Sequence, residues 1–185
     1  MSDERFNIYK LYENSKKTLL HPKEYFASMK TQGGLGEPVI KALMYGVIAG
    51  IFVLLWSLLN LTGVSTGFLG GGVPGFFSAI IGTVIGIFIG GLIILIISAI
   101  CKGNTDFEPN MRVAAATMVL YPINAFLVFF SGISYSLGEI ISLAVSLYGV
   151  YLVYIAVTVT LKGETKTART VSYVLRAILI LFQIV

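Results

Sequence analysis

The sequence predicts an all-α fold: a polytopic membrane helix bundle with five transmembrane helices, preceded by amphipathic helices on the cytoplasmic face. Hydrophobic residues make up 56% of the 185 residues and charged residues 12%, whereas a soluble domain has roughly 45–50% and 25%. The run from Phe76 to Cys101 carries no charge, and about 20 apolar residues suffice to cross a bilayer. We therefore expect an integral membrane protein.

Residues 1–38 form a polar N-terminal tail that we predict to hold two short amphipathic helices at the membrane interface. The stretch "RFNIYKLYENSKKTLL" spaces its apolar residues at helical intervals, and Pro22 suits the first turn of a second helix. No apolar core with a cleavage site precedes the spans, so we expect the mature protein to retain the tail. A helix that docks a protein partner is the alternative. The residues assigned to lipid or partner contact are His21, Pro22, Tyr25, Phe26, Met29 and Arg169.

Residues 39–185 are predicted to form the five-span transmembrane domain. The apolar segments run from about residues 39 to 61, 76 to 101, 111 to 131, 137 to 161 and 171 to 185. The last segment is the shortest, and it contains Arg176. A central arginine costs roughly 2.5–3.5 kcal/mol on insertion scales. We expect it to reach the interface or a lipid phosphate, and a substrate site is the alternative.

Basic residues give the spans a direction. Seven of the 13 Lys and Arg residues precede or begin the first span, whereas the loops at residues 62–75 and 132–138 contain none. Because positive loops stay cytoplasmic, we predict a cytoplasmic N-terminus and an outside C-terminus. The same basic face would attract anionic lipid. Insertion thus accounts for the net charge of +4, and we expect no nucleic-acid partner.

Glycines recur at four-residue spacing in the first two spans. Such small residues let helix backbones approach closely in lipid, so we predict helix packing rather than a pore lining. Contacts within one chain and contacts in a homo-oligomer both remain open. The residues are Gly46, Gly50, Gly82, Gly86 and Gly90.

The motif "YPIN" interrupts the third span with Pro122 and Asn124. A proline inside a helix removes one backbone hydrogen bond and clashes with the carbonyl four residues earlier, so we expect a bend. The amide of Asn124 is predicted to bond a backbone group or a tyrosine of the fourth span, such as Tyr148, Tyr151 or Tyr154. The alternative is a small transporter or channel whose path runs near Pro122, Asn124 and Arg176.

Groups for catalysis are not evident in the sequence. The only histidine, His21, has no second histidine at metal-ligand spacing. The spans contain no Asp pair and no Ser/His or Ser/Lys arrangement that could move protons. We therefore predict no enzyme activity, no catalytic residue, no metal and no cofactor.

Three stretches together resemble the Yip (Ypt-interacting protein) domain family. They are "LLHPKEYFASM", "NMRVAAATMVLYPINAF" and "LYGVYLVYIAVTVTLKGETKTAR". The resemblance implies an all-helical membrane protein without catalytic residues, of a family that in eukaryotes works in vesicle trafficking with Rab-type GTPases. The tail is short and lacks a DLYGP-like stretch, which suggests a prokaryotic-type member in the cell membrane and leaves GTPase binding open. A scaffold of membrane organisation is the favoured function.

Overall fold

The computed structural model describes residues 8–61 and 71–184, and within these ranges it contains helices and no strand. Two short helices precede four long apolar segments and a last helix. The elements in chain order are α1 (Ile8–Leu20), α2 (Pro22–Ser28), α3 (Gly36–Leu58), α4 (Gly72–Ile100), α5 (Phe107–Thr117), α6 (Leu120–Leu127), α7 (Phe129–Ile133), α8 (Tyr135–Val159) and α9 (Thr165–Ile184). Most of the predicted outer loop, residues 62–70, lies outside the described residues.

Four of the five predicted spans coincide with helical segments whose length and composition suit a membrane span. In the described part of the chain, α3, α4, the α5–α7 segment and α8 are long and apolar enough to cross a bilayer. Their bounds agree with the predicted segments to within four residues, because long uncharged runs are a strong signal for membrane helices. The fifth span stays a prediction. Its helix, α9, begins at Thr165 rather than near residue 171 and carries Arg169 and Arg176.

The pair α3–α4 has the most extensive contact between two helices of the bundle. Gly50 of α3 lies so close to α4 that an added Cβ would be 2.9 Å from the backbone oxygen of Phe76. One turn earlier, a Cβ on Gly46 would be 2.9 Å from the Cα of Ile80. The two backbones can approach this closely only because neither position has a side chain.

The third span is interrupted just before Pro122. Helix α5 ends at Thr117 and α6 begins at Leu120. Between them, the amide of Tyr121 donates to the carbonyl of Met118 at 2.9 Å, a three-residue rather than a four-residue spacing. Met118 is the residue whose carbonyl a helical proline at position 122 would strike. The local tightening avoids that clash.

Three segments that carry lysine residues meet at one end of the bundle, which we call the basic end: the tail, the loop at residues 101–106 and the loop at residues 160–164. The amide of Glu164 donates to the carbonyl of Cys101 at 2.6 Å, and Asn104 donates to that of Leu161 at 2.7 Å. Cys101 is fully buried between the two loops. Burial raises the pKa of its thiol, and the nearby carboxylate of Glu164 raises it further.

The tail packs on the basic end instead of lying apart from the bundle. Its helix α2 contacts α8, and α1 contacts α2 and α5. Side-chain hydrogen bonds tie the two parts together: Tyr148 to the carbonyl of Leu19 (2.6 Å), Thr160 to that of Phe26 (2.7 Å), Ser15 with Tyr45 (2.8 Å) and Lys41 to Tyr25 (3.3 Å).

Candidate functional site

A cavity of about 180 Å³ opens at the basic end, between the tail helices and the first turns of α3 and α5. The tail forms one wall and the membrane helices form the other. The lining residues are Lys10, Asn14, Lys17, Tyr25, Ser28, Met29, Lys30, Glu37, Pro38, Lys41, Arg112 and Ala115. The cavity exists because the tail folds back over the bundle.

Arg112 holds one side of this cavity together. The residue is 6% exposed, and its guanidinium donates to Glu37 at 2.8 Å and to Glu108 at 3.1 Å. A third donor reaches the carbonyl of Gly34 at 3.0 Å, and the amide of Gly34 donates to Glu108 at 2.7 Å. The planar fork of an arginine can serve several oxygen acceptors at once. It thereby joins α3, α5 and the segment before α3.

Lys41 is the second buried cation, 9% exposed. Its ammonium lies 3.4 Å from a carboxylate oxygen of Glu37 and donates to the hydroxyl of Tyr25 at 3.3 Å. A buried charge needs such partners, because an uncompensated one is expensive. The tyrosine therefore connects the tail to the charged network of the bundle.

Basic residues predominate among the described residues of the cavity lining. Five lining residues are basic, namely Lys10, Lys17, Lys30, Lys41 and Arg112. Glu37 is the one carboxylate among the described lining residues, and Glu108 pairs with Arg112 from outside this group. Lys41 and Arg112 are both paired with Glu37.

Comparison with models of known protein families identifies the family of the chain. The profile of the Yip1 domain matches residues 16–185, which is nearly the whole chain. The chain belongs to the Yip1 domain family. Searches of curated proteins and of solved structures found no match. The family assignment and the four apolar spans make this Yip1 domain protein an integral, multi-pass membrane protein in contact with lipid.

The tail residues assigned to lipid or partner contact divide into two groups in this Yip1 domain protein. Pro22, Tyr25 and Phe26 are buried among the chain's own residues, and their assignment to lipid or partner contact stays a prediction. The remaining residues keep access to the surface: His21 and Arg169 are exposed, and Met29 is partly buried beside the cavity.

Among the described residues, no hydrogen bond joins Asn124 to Tyr148, Tyr151 or Tyr154, and the predicted pairing with a backbone group or a tyrosine stays a prediction. Tyr148 bonds Leu19 instead. Asn124 is exposed and faces a second cavity, of about 250 Å³, on the side of the bundle. Its walls come from α3, α4 and α6 and include Trp56, Ser78 and Tyr121. The helical backbone is satisfied through the tight turn, so the amide does not have to supply a partner.

Arg176 lies away from both cavities, on α9. Its guanidinium carbon is 5.9 Å from the ring centre of Tyr173, within the range of a cation–π contact. The first half of α9 packs against α8, where Tyr154 lines a small cleft with Ala168 and Ser172. Arg176 is absent from the walls of the Asn124 cavity. The predicted path near Pro122, Asn124 and Arg176 stays a prediction.

The glycines of α4 differ from one another. A Cβ on Gly86 would be 3.3 Å from Met118, and one on Gly90 would be 3.5 Å from Ala114, so both lie against the third span. Gly82 has open space around it, so it does not pack within the described chain. Gly91, which falls outside the four-residue spacing, has the closer approach: a Cβ there would lie 3.2 Å from the Cα of Met111.

The charged network of the cavity was not predicted from the sequence. Glu37 and Lys41 are four residues apart at the start of α3, and Glu108 and Arg112 have the same spacing at the start of α5. Each pair alone looks like an exposed helix pair at a span boundary. Only the packing of the two helix starts brings Arg112 within reach of Glu37. Within the described ranges, no group of three metal-ligating residues occurs.

Proposed function

We propose that this Yip1 domain protein is a non-enzymatic organiser of the membrane, related in role to the trafficking proteins of its family. The observation that carries the proposal is the docked tail. It covers one end of the bundle, buries Phe26 almost completely and leaves a basic surface outside. A folded cap with a charged face is suited to recognition of a surface.

The basic end is proposed to face the cytoplasm. Both described interhelical loops that carry lysines, 101–106 and 160–164, lie there together with the tail. Clustering of positive charge on one side is the arrangement that membrane insertion favours. Its exposed face, including Lys16 and Lys23, would contact anionic lipid or a protein partner. If α9 spans the membrane, the C-terminus lies outside.

Cysteine labelling tests this orientation. Single cysteines at Ser65, outside the described residues, and at Thr165, the first residue of α9, are introduced into a chain with Cys101 replaced. A membrane-impermeant maleimide should label the first from outside and the second from the cytoplasm. Labelling of both from one side would refute the proposed orientation.

Reconstitution tests the function class. Purified protein in liposomes should change vesicle size and shape, seen by electron cryomicroscopy, more in anionic than in neutral lipid, and it should conduct no ions or small solutes. Vesicles that match protein-free controls in both lipids would count against an organising role.

A small transporter or channel is the second candidate, because Asn124 faces a cavity of about 250 Å³ between three spans. Reproducible solute flux that disappears in Asn124→Leu, but persists in a variant at the exposed lipid-facing residue Ile89, would favour this candidate. Flux and vesicle shape are read from the same preparation, so one experiment separates the two classes.

A further inference from the structure

We infer that helix α1 of the tail holds the hinge of the third span in place, and that release of α1 frees the following helix, α6, to move inside the membrane. The hinge is the tight turn at residues 118–120. The inference goes beyond the proposed function, because it concerns a movement of the chain that serves either candidate function. It rests on contacts among described residues of the tail, α3 and the third span.

Helix α1 packs on the interruption of the third span. Leu11 of α1, Tyr45 of α3 and Val119 of the tight turn are almost fully buried and form one cluster. Met118 and Leu120, the two neighbours of Val119, pack against the same cluster. The turn therefore lies under the tail, although the two segments are far apart in the sequence.

A hydrogen bond fixes α1 on α3 beside the turn. The hydroxyl oxygens of Ser15 and Tyr45 are 2.8 Å apart, and Ser15 donates to the carbonyl of Leu11 at 2.7 Å. Because the single hydroxyl hydrogen of Ser15 is used in that bond, Tyr45 is the donor to Ser15. Tyr45 therefore joins α1 to α3 at the position where Val119 is buried.

The backbone of the turn is suited to a hinge. The amide of Val119 donates to the carbonyl of Ala116 at 3.4 Å, and the amide of Tyr121 donates to that of Met118 at 2.9 Å, both over three residues. Such turns inside a helix often mark a hinge, and 3.4 Å is long for a bond whose usual length is about 2.9–3.0 Å. Pro122 follows and has no amide hydrogen to donate. The side chains packed on the turn therefore decide its geometry.

Helix α6 transmits a change of the turn to the membrane interior. It has eight residues and places Tyr121 and Asn124 on the wall of the cavity of about 250 Å³. A residue in a three-residue turn rotates by about 120° about the helix axis, whereas a residue in an α-helix rotates by about 100°. Straightening of the turn would therefore rotate α6, and Asn124 with it, by about 20° for each residue concerned.

Trp56 lies beyond the hinge and reports the position of α6. Its indole Nε1 donates to the carbonyl of Ala125 in α6 at 3.0 Å. Along α3, Trp56 is about 16 Å from Tyr45 at a rise of about 1.5 Å per residue, so it does not touch the cluster under the tail. It is the single tryptophan of the chain, and its fluorescence can be measured without a label.

The test compares two alanine variants of α1 in the 185-residue chain, in phosphatidylcholine nanodiscs. Leu11→Ala removes a buried side chain from the cluster, whereas Leu20→Ala removes an exposed one. The first should raise the undocked population of α1 about 30-fold or more, and the second should change it by no more than about twofold. Hydrogen exchange of residues 8–20 measures this population, and exchange in α4 shows whether the spans stay folded.

In Leu11→Ala, exchange at the amides of Val119 and Tyr121 should accelerate together with exchange in α1. The emission maximum of Trp56 should shift to shorter wavelength, and brominated phosphatidylcholine should quench it more strongly, because the indole loses its carbonyl acceptor. Leu20→Ala should leave both signals unchanged. An unchanged exchange rate at the turn, an unchanged Trp56 signal or an unchanged exchange rate of α1 in Leu11→Ala would each overturn the inference.

Two further variants keep the test decisive. If Leu11→Ala also accelerates exchange in α4, it is replaced by Ser15→Ala, which removes only the hydrogen bonds to Tyr45 and within α1, and the same signals decide. Pro122→Ala tests the reverse direction, since coupling between two sites is reciprocal. A regular helix through the turn should displace Val119 and accelerate exchange in α1. Exchange in α1 at the wild-type rate in this variant would contradict the inference.

Discussion

Replacement of Phe26 by alanine should release the tail from the bundle. Phe26 is 1% exposed and belongs to the same cluster of buried side chains as Met111 of α5 and Leu152 of α8. Truncation of a buried phenylalanine costs about 3–5 kcal/mol. The four side-chain hydrogen bonds that also hold the tail contribute about 0.5–1.5 kcal/mol each. The free energy lost by Phe26→Ala is therefore comparable to the summed contribution of these four hydrogen bonds.

Local opening, rather than global unfolding, is the expected result, because the membrane spans keep their contacts with one another. A loss of about 3–5 kcal/mol raises the open population about 10²- to 4 × 10³-fold. Hydrogen exchange at residues 8–28 should accelerate by that factor, while exchange in α4 stays unchanged. Leu20→Ala, at a position that is 62% exposed in the same tail, is the matched control.

Exchange in the tail at the wild-type rate would refute this reasoning, since it would mean that burial of Phe26 does not hold the tail. Acceleration of the tail and of α4 together would show that the tail and the spans unfold as one unit. The measurement thus also determines whether the cavity at the basic end can open without loss of the bundle.

Three further predictions concern the bundle. Gly50→Leu should destabilise the protein by about 1–3 kcal/mol through overpacking against α4, and the unfolding temperature in detergent should fall. Gly82→Leu should leave the stability unchanged, because the surroundings of Gly82 are open. Equal effects of the two substitutions would contradict the packing of α3 on α4. Arg112→Met should lower the free energy of unfolding by about 2–3 kcal/mol. This loss is smaller than the loss for a fully buried ion pair, because Glu37 is partly exposed. An unchanged free energy of unfolding in a denaturant titration would refute the stabilising role of the Arg112 network. Cys101 should resist maleimide near neutral pH, because its raised pKa keeps the side chain in the thiol form. It should react when the pH rises or after the protein is denatured. Rapid labelling of the folded protein would show that Cys101 is accessible.

The interruption of the third span shows what the local steric rule for proline can predict and what it cannot. Proline sterics alone indicate a disturbance at Met118, four residues before Pro122, and the structure has its tight turn there. The fate of the Asn124 side chain depends on what lies opposite it, and no local rule supplies that. The position of Tyr148 in the fourth span makes it a reasonable partner for Asn124, but its hydroxyl donates to the carbonyl of Leu19 in the tail.

The sequence by itself determined the class of the protein and the four candidate spans, because insertion into a bilayer depends on the length and apolarity of each segment separately. It also gave the family through residues 16–185. Only the tertiary structure decided that the tail is a cap and that Glu37 and Arg112 share one network. Those results depend on contacts between residues up to about 130 positions apart, and such contacts follow from the packing of whole helices rather than from the pattern within any one of them.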